Sequence, residues 1–284
     1  MTTYESANKD QIEYWNGRAG NSWASEQESL DRSLAPFGNA AIAKVAPKTG
    51  ERVLDVGCGA GATAIALAEA VGASGSVLGI DVSAPMLARA RARGAAFANV
   101  RFLEADAALH TFAPAHDLLF SRMGVMFFAD PIAAFTNLRS ALAPHGRLAF
   151  VCWRPLSENP WMQVPLRAAQ SVIGVDSAPP NPHAPGPMAF ADPDRVKKIL
   201  TAAGFDKIEI EPFTTAYVYS TRGLDFAVAN AMKIGPTARA IAEAPEALHP
   251  KAREAVCAAL SPHLAGDTVS LQGGTWTVTA SPRS

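Results

Sequence analysis

From residue 51 onward, short apolar runs alternate with alanine-rich stretches of helical period. ERVLDVG (51–57), SVLGIDVS (76–83), VRFLEADA (100–107), HDLLFSR (116–122) and GRLAFVCW (146–153) read as strands. Between them, ATAIALAEAVG (62–72), PMLARARARGA (85–95) and FADPIAAFTNLRSALAP (128–144) read as helices. Pro85 suits a first helical turn, and Gly72 suits a helix end. A further helix is expected at 193–205, a strand at 207–219, a mostly helical stretch at 222–262 and a last strand at 267–280. Such alternation implies βαβ units: an α/β fold with a seven-stranded, mostly parallel sheet and helices on both faces.

The flanking segments change this picture only at its edges. Residues 1–48 form a helical lead-in before a core at 49–153. Residues 154–192 form a proline-rich insertion after strand five. Its APPNPHAPGP run (178–187) cannot be a central strand and resists a long helix. The C-terminal strands at 193–284 carry a second, helical insertion after strand six. With no internal repeat and no linker between two cores, one domain is expected over 1–284.

Of the 284 residues, 49% are hydrophobic and 18% charged, which favours a sizeable core over disorder. A formal net charge of −1 and no Lys/Arg cluster argue against a nucleic-acid partner. The polar N-terminus, MTTYESANKD, lacks the basic and apolar regions of a signal peptide. No apolar run nears the roughly 20 residues that span a bilayer. Three widely spaced cysteines, Cys58, Cys152 and Cys257, suggest neither a disulfide framework nor a metal site, and fit a reducing cytoplasm.

Candidate chemistry clusters at the C-terminal ends of the strands, where open parallel sheets bind ligands. VLDVGCGAG (53–61) ends in alternating glycines, the usual turn between a strand and a nucleotide-binding helix. Yet Asp55 lies two residues before Gly57, where its carboxylate would repel a pyrophosphate. Asp81 ends the second strand, placed to accept from ribose hydroxyls, and Asp106 ends the third. An acid beside a glycine turn suits a cationic nucleoside, S-adenosylmethionine, better than NAD. Ala62 also replaces the third glycine of the dinucleotide fingerprint.

VLDVGCGAG, GIDVSAPMLARAR, EADAALHTF and HDLLFSRMGVMFFADP resemble the successive motifs of class I S-adenosylmethionine-dependent methyltransferases. Within them, the sequence is most similar to the ubiquinone/menaquinone-biosynthesis-like, small-molecule branch. The resemblance is specific over 51–153 and implies a Rossmann-like fold. It implies that Asp55, Gly57, Cys58 and Gly59 line the methionine end of the cofactor and that Asp81 binds the ribose. Val82 and Met86 then flank the adenine, and Asp106 accepts from its amino group beside the Ala107 amide. Ser121 and Arg122 sit by the methionine and the acceptor entry. YWNGRAGNSW (14–23) resembles the aromatic lead-in that closes over the cofactor, with Tyr14 or Trp23 facing the sulfonium; equally, these aromatics simply dock the first helix.

No general base stands out. Of six histidines, His183 in the proline-rich insertion is the nearest to a catalytic candidate, and an ordinary loop role is expected for it. MGVMFF (123–128), FVCW (150–153), PWM (160–162), GPMAF (186–190) and LDFAVANAMKI supply apolar side chains for an acceptor pocket. The expected partner is a lipophilic or aromatic small molecule that receives a methyl group, with a homodimer left open. A nicotinamide-dependent oxidoreductase on the same fold and a non-catalytic cofactor-binding protein remain as alternatives.

Overall fold

The computed structural model describes the backbone of residues 3–174 and 181–283, with side chains from residue 8 onward. Residues 178–180 of the proline-rich run therefore lie outside the described residues. Three helices lead in: α1 (Thr3–Asn16), α2 (Arg18–Ser25) and α3 (Gln27–Val45). The alternating core follows as β1 (Arg52–Val56), α4 (Ala62–Val71), β2 (Ser76–Asp81), α5 (Ala84–Gly94), β3 (Val100–Glu104), β4 (His116–Arg122), α6 (Pro131–Ser140) and β5 (Leu142–Trp153). Then come α7 (Pro160–Ile173), α8 (Pro193–Ala202), β6 (Phe205–Ser220), α9 (Leu224–Ala231), α10 (Gly235–Glu243) and α11 (His249–Leu260). A short β7 (Leu264–Ala265) turns through Gly266 into the long β8 (Thr268–Pro282).

The strands form one sheet in the order β3-β2-β1-β4-β5-β8-β6, with β7 added beside β8. Pairs from β3 to β5 are parallel, and β8 runs antiparallel to both β5 and β6. Because β1, β4 and β5 are covered on both faces, they read as nearly unbroken apolar runs. The chain steps outward from β1 to β3 and then resumes at β4 on the other side. The sheet thus changes winding direction between β1 and β4, where a crevice opens at the carboxyl ends. Among the described residues, no helix is long and apolar enough to cross a membrane.

Two boundaries differ from the sequence expectation. The helix expected over 128–144 covers only Pro131–Ser140, because Asp130 caps it by accepting from the Ala133 amide at 3.0 Å. It stops before Pro144, and the chain instead enters β5 at Leu142, opposite His116. The second difference lies in the first insertion, which holds the 14-residue helix α7 despite its prolines. Pro160 occupies the first turn. Pro165 lies inside the helix and has no N–H for the Trp161 carbonyl; the Tyr219 hydroxyl donates to that carbonyl instead.

Helix α7 packs against α10 and α11, and α9 packs against both of these, so the two insertions build one helical layer. Asn159, fully buried, ties that layer to the sheet. Its amide donates to the Arg154 and Gly274 carbonyls at 2.9 and 3.0 Å, and its oxygen accepts from the Gly274 N–H at 2.9 Å and the Trp161 indole at 3.2 Å. On the lead-in side, Phe37 of α3 has no exposed surface and meets Trp153 and Phe213 edge to face at 5.3 and 6.2 Å. A Cβ on Gly273 of β8 would stand 2.7 Å from the Phe37 ring, so a glycine is needed there for α3 to seat. Phe37→Ala is expected to cost roughly 3–5 kcal/mol in urea denaturation. A loss below about 1 kcal/mol would mean that α3 is not docked this way.

Candidate functional site

The turn after β1 is built on left-handed glycines: Gly57 at φ 68°, Gly59 at 55° and Gly61 at 84°. Gly57 needs to be glycine for a second reason. A Cβ there would approach the Gly124 Cα to 2.7 Å, so the loops leaving β1 and β4 touch backbone to backbone. Beside that contact Met123 takes a φ of 66°, uncommon for a side chain with a Cβ, and lines the cavity below the turn.

Asp55 on β1 has no exposed surface. One carboxylate oxygen accepts from the Thr63 hydroxyl at 2.6 Å, while Oδ1 has no hydrogen-bond partner among the described residues. Burial raises its pKa from 3.8 to about 7, against the Thr63 bond and the positive charge of Arg122. Arg122, at the end of β4, has a buried Nε that likewise finds no partner, and burial lowers its pKa. Its aliphatic stem runs under α3, where a Cβ on Gly38 would lie 3.1 Å from Cδ.

At the end of β2, Asp81 is half-buried and accepts from the Gly59 and Ser83 amides at 2.8 and 2.9 Å. Burial nevertheless raises its pKa. Asp81 thereby clamps the glycine turn to the start of α5, where Ser83 precedes the first helical residue. The Ser83 hydroxyl donates instead to the Trp15 carbonyl at 2.7 Å. Beyond β3, Asp106 accepts from the Ala108 amide at 2.9 Å and from the Asn8 side chain of α1.

These residues border one cavity of about 1170 Å³ counted out to its open mouth. Gly57, Asp81, Val82, Met86, Asp106, Ala107, Arg122 and Trp23 all stand on its wall. Asp55, Cys58, Gly59 and Ser121 form the layer behind it: Gly59 through its bond to Asp81, Ser121 through a 2.7 Å bond to the Val56 carbonyl. Two of the expected residues lie elsewhere. Tyr14 is 46% exposed and is not on the wall; the helical turn of α1 instead aims its neighbour Trp15 inward, edge-on to Trp23 at 5.6 Å. His183 is exposed and also off the wall; Pro187 is the part of that insertion that reaches it.

Sequence reasoning missed Asn8, Gln11 and Ile12 on α1, and Tyr217 and Pro236 on the far wall, while Ile234 of the expected LDFAVANAMKI segment does reach it. Asn8, Ile12 and Trp15 follow helical spacing, a signal that was present in the lead-in. No local pattern marks Tyr217. It stacks on Trp161 at 3.9 Å and 10° only because β6 and α7 meet in the fold. The cavity is therefore polar at the β2–β3 end and aromatic at the β5–β6 end.

A sheet of this order, with a glycine turn at the switch point and acids in or after three successive strands, is a fold shared with solved methyltransferases. Residues 53–146 match the methyltransferase domain family. The chain is 37% identical over 120 residues to aklanonic acid methyltransferase DauC of Streptomyces sp. (strain C5), covering 41% of this chain and 54% of that one. It is 31% identical over 185 residues to nocamycin O-methyltransferase of Saccharothrix syringae, covering 61% and 65%. The chain thus spans between half and two thirds of the length of these two relatives. Phosphoethanolamine N-methyltransferase 2 of Haemonchus contortus, solved in complex with S-adenosyl-L-methionine, shares the fold at a TM-score of 0.52 and 21% identity, over 87% of this chain and 53% of that one.

The raised pKa of Asp55 has a stability consequence. An acid whose folded pKa lies above its unfolded value favours the fold while protonated. That contribution is full below the unfolded value of 3.8 and is lost as pH rises toward about 7. Above pH 7 the buried charge costs about 4 kcal/mol. Asp55→Asn, which keeps the Thr63 bond, should raise the melting temperature at pH 8 and leave it nearly unchanged at pH 4. A lower melting temperature at pH 8 would show that the carboxylate is compensated within the protein.

Proposed function

We propose that the chain transfers the methyl group of S-adenosylmethionine to a small apolar or aromatic acceptor by in-line displacement. The unpartnered Oδ1 of Asp55, fixed behind a glycine turn, carries the reading: a buried anion there favours an ammonium and a sulfonium and opposes a diphosphate. The cofactor, when bound, supplies an activated methyl group on a positively charged sulfur.

The chain's own residues bind, orient and dry the site. Asp81 and Asp106 retain lone pairs on oxygens already fixed by backbone amides, which suits ribose hydroxyls and an adenine amino group. Asn8 occupies one Asp106 oxygen, so α1 shares the place assigned to the base. Val82 and Met86 present apolar surface between the two acids, and Gly57 allows close backbone approach. Trp15 and Trp23 stand edge-on to each other on the wall, and aromatic rings favour a cation beside them.

The aromatic end is the proposed acceptor subsite. Trp153, Trp161 and Tyr217 give it an apolar, aromatic lining of the kind that small-molecule sites use. Holding cofactor and acceptor in line supplies about 7–11 kcal/mol of the barrier without covalent help from the protein. Two relatives named for low-molecular-weight acceptors support the same class of substrate.

Calorimetric titration with S-adenosylhomocysteine should give one site per chain, and NAD no heat. Asp81→Ala should weaken S-adenosylhomocysteine roughly 10–100-fold, the loss of hydrogen bonds to a charged group. Binding of NAD in preference to S-adenosylhomocysteine would overturn the proposal.

A further inference from the structure

The cavity wall carries four titratable side chains among its described residues: Asp81, Asp106, Arg122 and Tyr217. None is a free general base. The two aspartates lie at the polar end and are held by amides. Burial drives the Tyr217 phenol well above its ordinary value, so it stays protonated. What remains is a cation with too little opposing charge.

Arg122 is on the wall and ends β4, the strand between β1, which leads into the glycine turn, and β5, which ends at Trp153. Two carboxylates influence it, Asp31 and Asp55. Asp31 is already paired with Arg93 at 2.7 Å, and no ion pair joins Asp55 to Arg122 among the described residues. The buried Nε of Arg122 has no hydrogen-bond partner among the described residues, and the guanidinium forms no ion pair among them. An unpaired buried charge is costly, and a guanidinium is shaped to receive a carboxylate or another oxyanion.

Resting on the methyltransferase reading, we propose that the acceptor enters the aromatic subsite as a preformed oxyanion, a carboxylate or an ionised phenol or enol, recognised by Arg122. The acceptor oxygen then forms the new bond to the methyl carbon with its own electron pair. The carbon–sulfur bond breaks, and its pair remains on sulfur as a neutral thioether. One anion and one sulfonium become two neutral products, no proton moves, and no base is required. The methylated oxygen no longer carries the charge that Arg122 held, which favours product departure.

The probe pair is naphthalene-2-carboxylate and its near-isosteric carboxamide, with 4-nitrophenol for the phenolate. Each is titrated by tryptophan fluorescence into protein saturated with S-adenosylhomocysteine; Trp153 and Trp161 line the subsite and report on it. The carboxylate should bind at least tenfold tighter than the carboxamide, and 4-nitrophenol should bind tighter above its own ionisation than below it. Arg122→Gln should abolish both preferences while S-adenosylhomocysteine affinity stays within about threefold, which also shows that the variant is folded. A carboxamide that binds as tightly as the carboxylate, or a preference that survives in Arg122→Gln, would overturn the proposal. A parallel loss of S-adenosylhomocysteine affinity would also overturn it, by placing Arg122 on the cofactor's own carboxylate. Failure of S-adenosylhomocysteine to bind wild-type protein would strike the methyltransferase reading itself, before any acceptor is added.

Discussion

Asp55 and Arg122, a carboxyl and a guanidinium, flank the parting of β1 and β4, each with a buried polar atom that has no hydrogen-bond partner among the described residues. Taking an ion out of water costs several kcal/mol unless something replaces the lost hydration. Within the protein, Thr63 and the field of Arg122 replace part of it, and the pKa of Asp55 still rises to about 7. The protein's own residues therefore leave an electrostatic deficit at the switch point of its sheet. A cation delivered beside Asp55 and an anion delivered beside Arg122 would offset it. Stability is given up where binding has to occur.

The surrounding architecture keeps these charges dry and fixed. Gly57 and Gly124 let the loops after β1 and β4 touch, which narrows the crevice at its base. Helix α3 lies over Arg122 at Gly38 and over Gly273 through Phe37, so the same element shields the cation and seats the aromatic wall. The helical layer made by both insertions closes the far side, with Asn159 fixing Trp161 to β8 and Tyr219 relieving the break that Pro165 makes in α7. Polarity is confined to one end and aromatic surface to the other. That division is the basis for proposing two ligands of different chemistry in one cavity.

Much of this was legible from residue order. Parallel strands covered on both faces write themselves as apolar runs, and a glycine turn with acids at the next strand ends is a local signature. The β1–β5 framework and the wall residues Gly57, Asp81 and Arg122 followed from that, and Met86 from the family resemblance. What escaped depended on contacts between distant segments. Tyr217 looks like any strand residue until α7 brings Trp161 onto it. The helix α7 itself was obscured by its prolines, because a phenol from β6 satisfies the carbonyl that Pro165 leaves open. In the lead-in, choosing Tyr14 over Trp15 was an error of one position, about 100° around a helix. Placing Asp55 on the cavity surface would likewise have been too literal. It lies buried in the layer behind Gly57.

Proton release on ligand binding tests that charge most directly. Arg122, Asp81 and Cys58 are the other charged or titratable groups around Asp55; Cys58 stays protonated because burial raises its pKa far above the ordinary range. Titrating S-adenosylhomocysteine at pH 6.5 in two buffers of different ionisation enthalpy measures the protons exchanged. Wild-type protein should release a substantial fraction of a proton as the arriving ammonium ionises Asp55, and Asp55→Asn should release none. Proton uptake, or identical heats for wild type and Asp55→Asn in both buffers, would contradict a cation-binding role for the buried carboxylate.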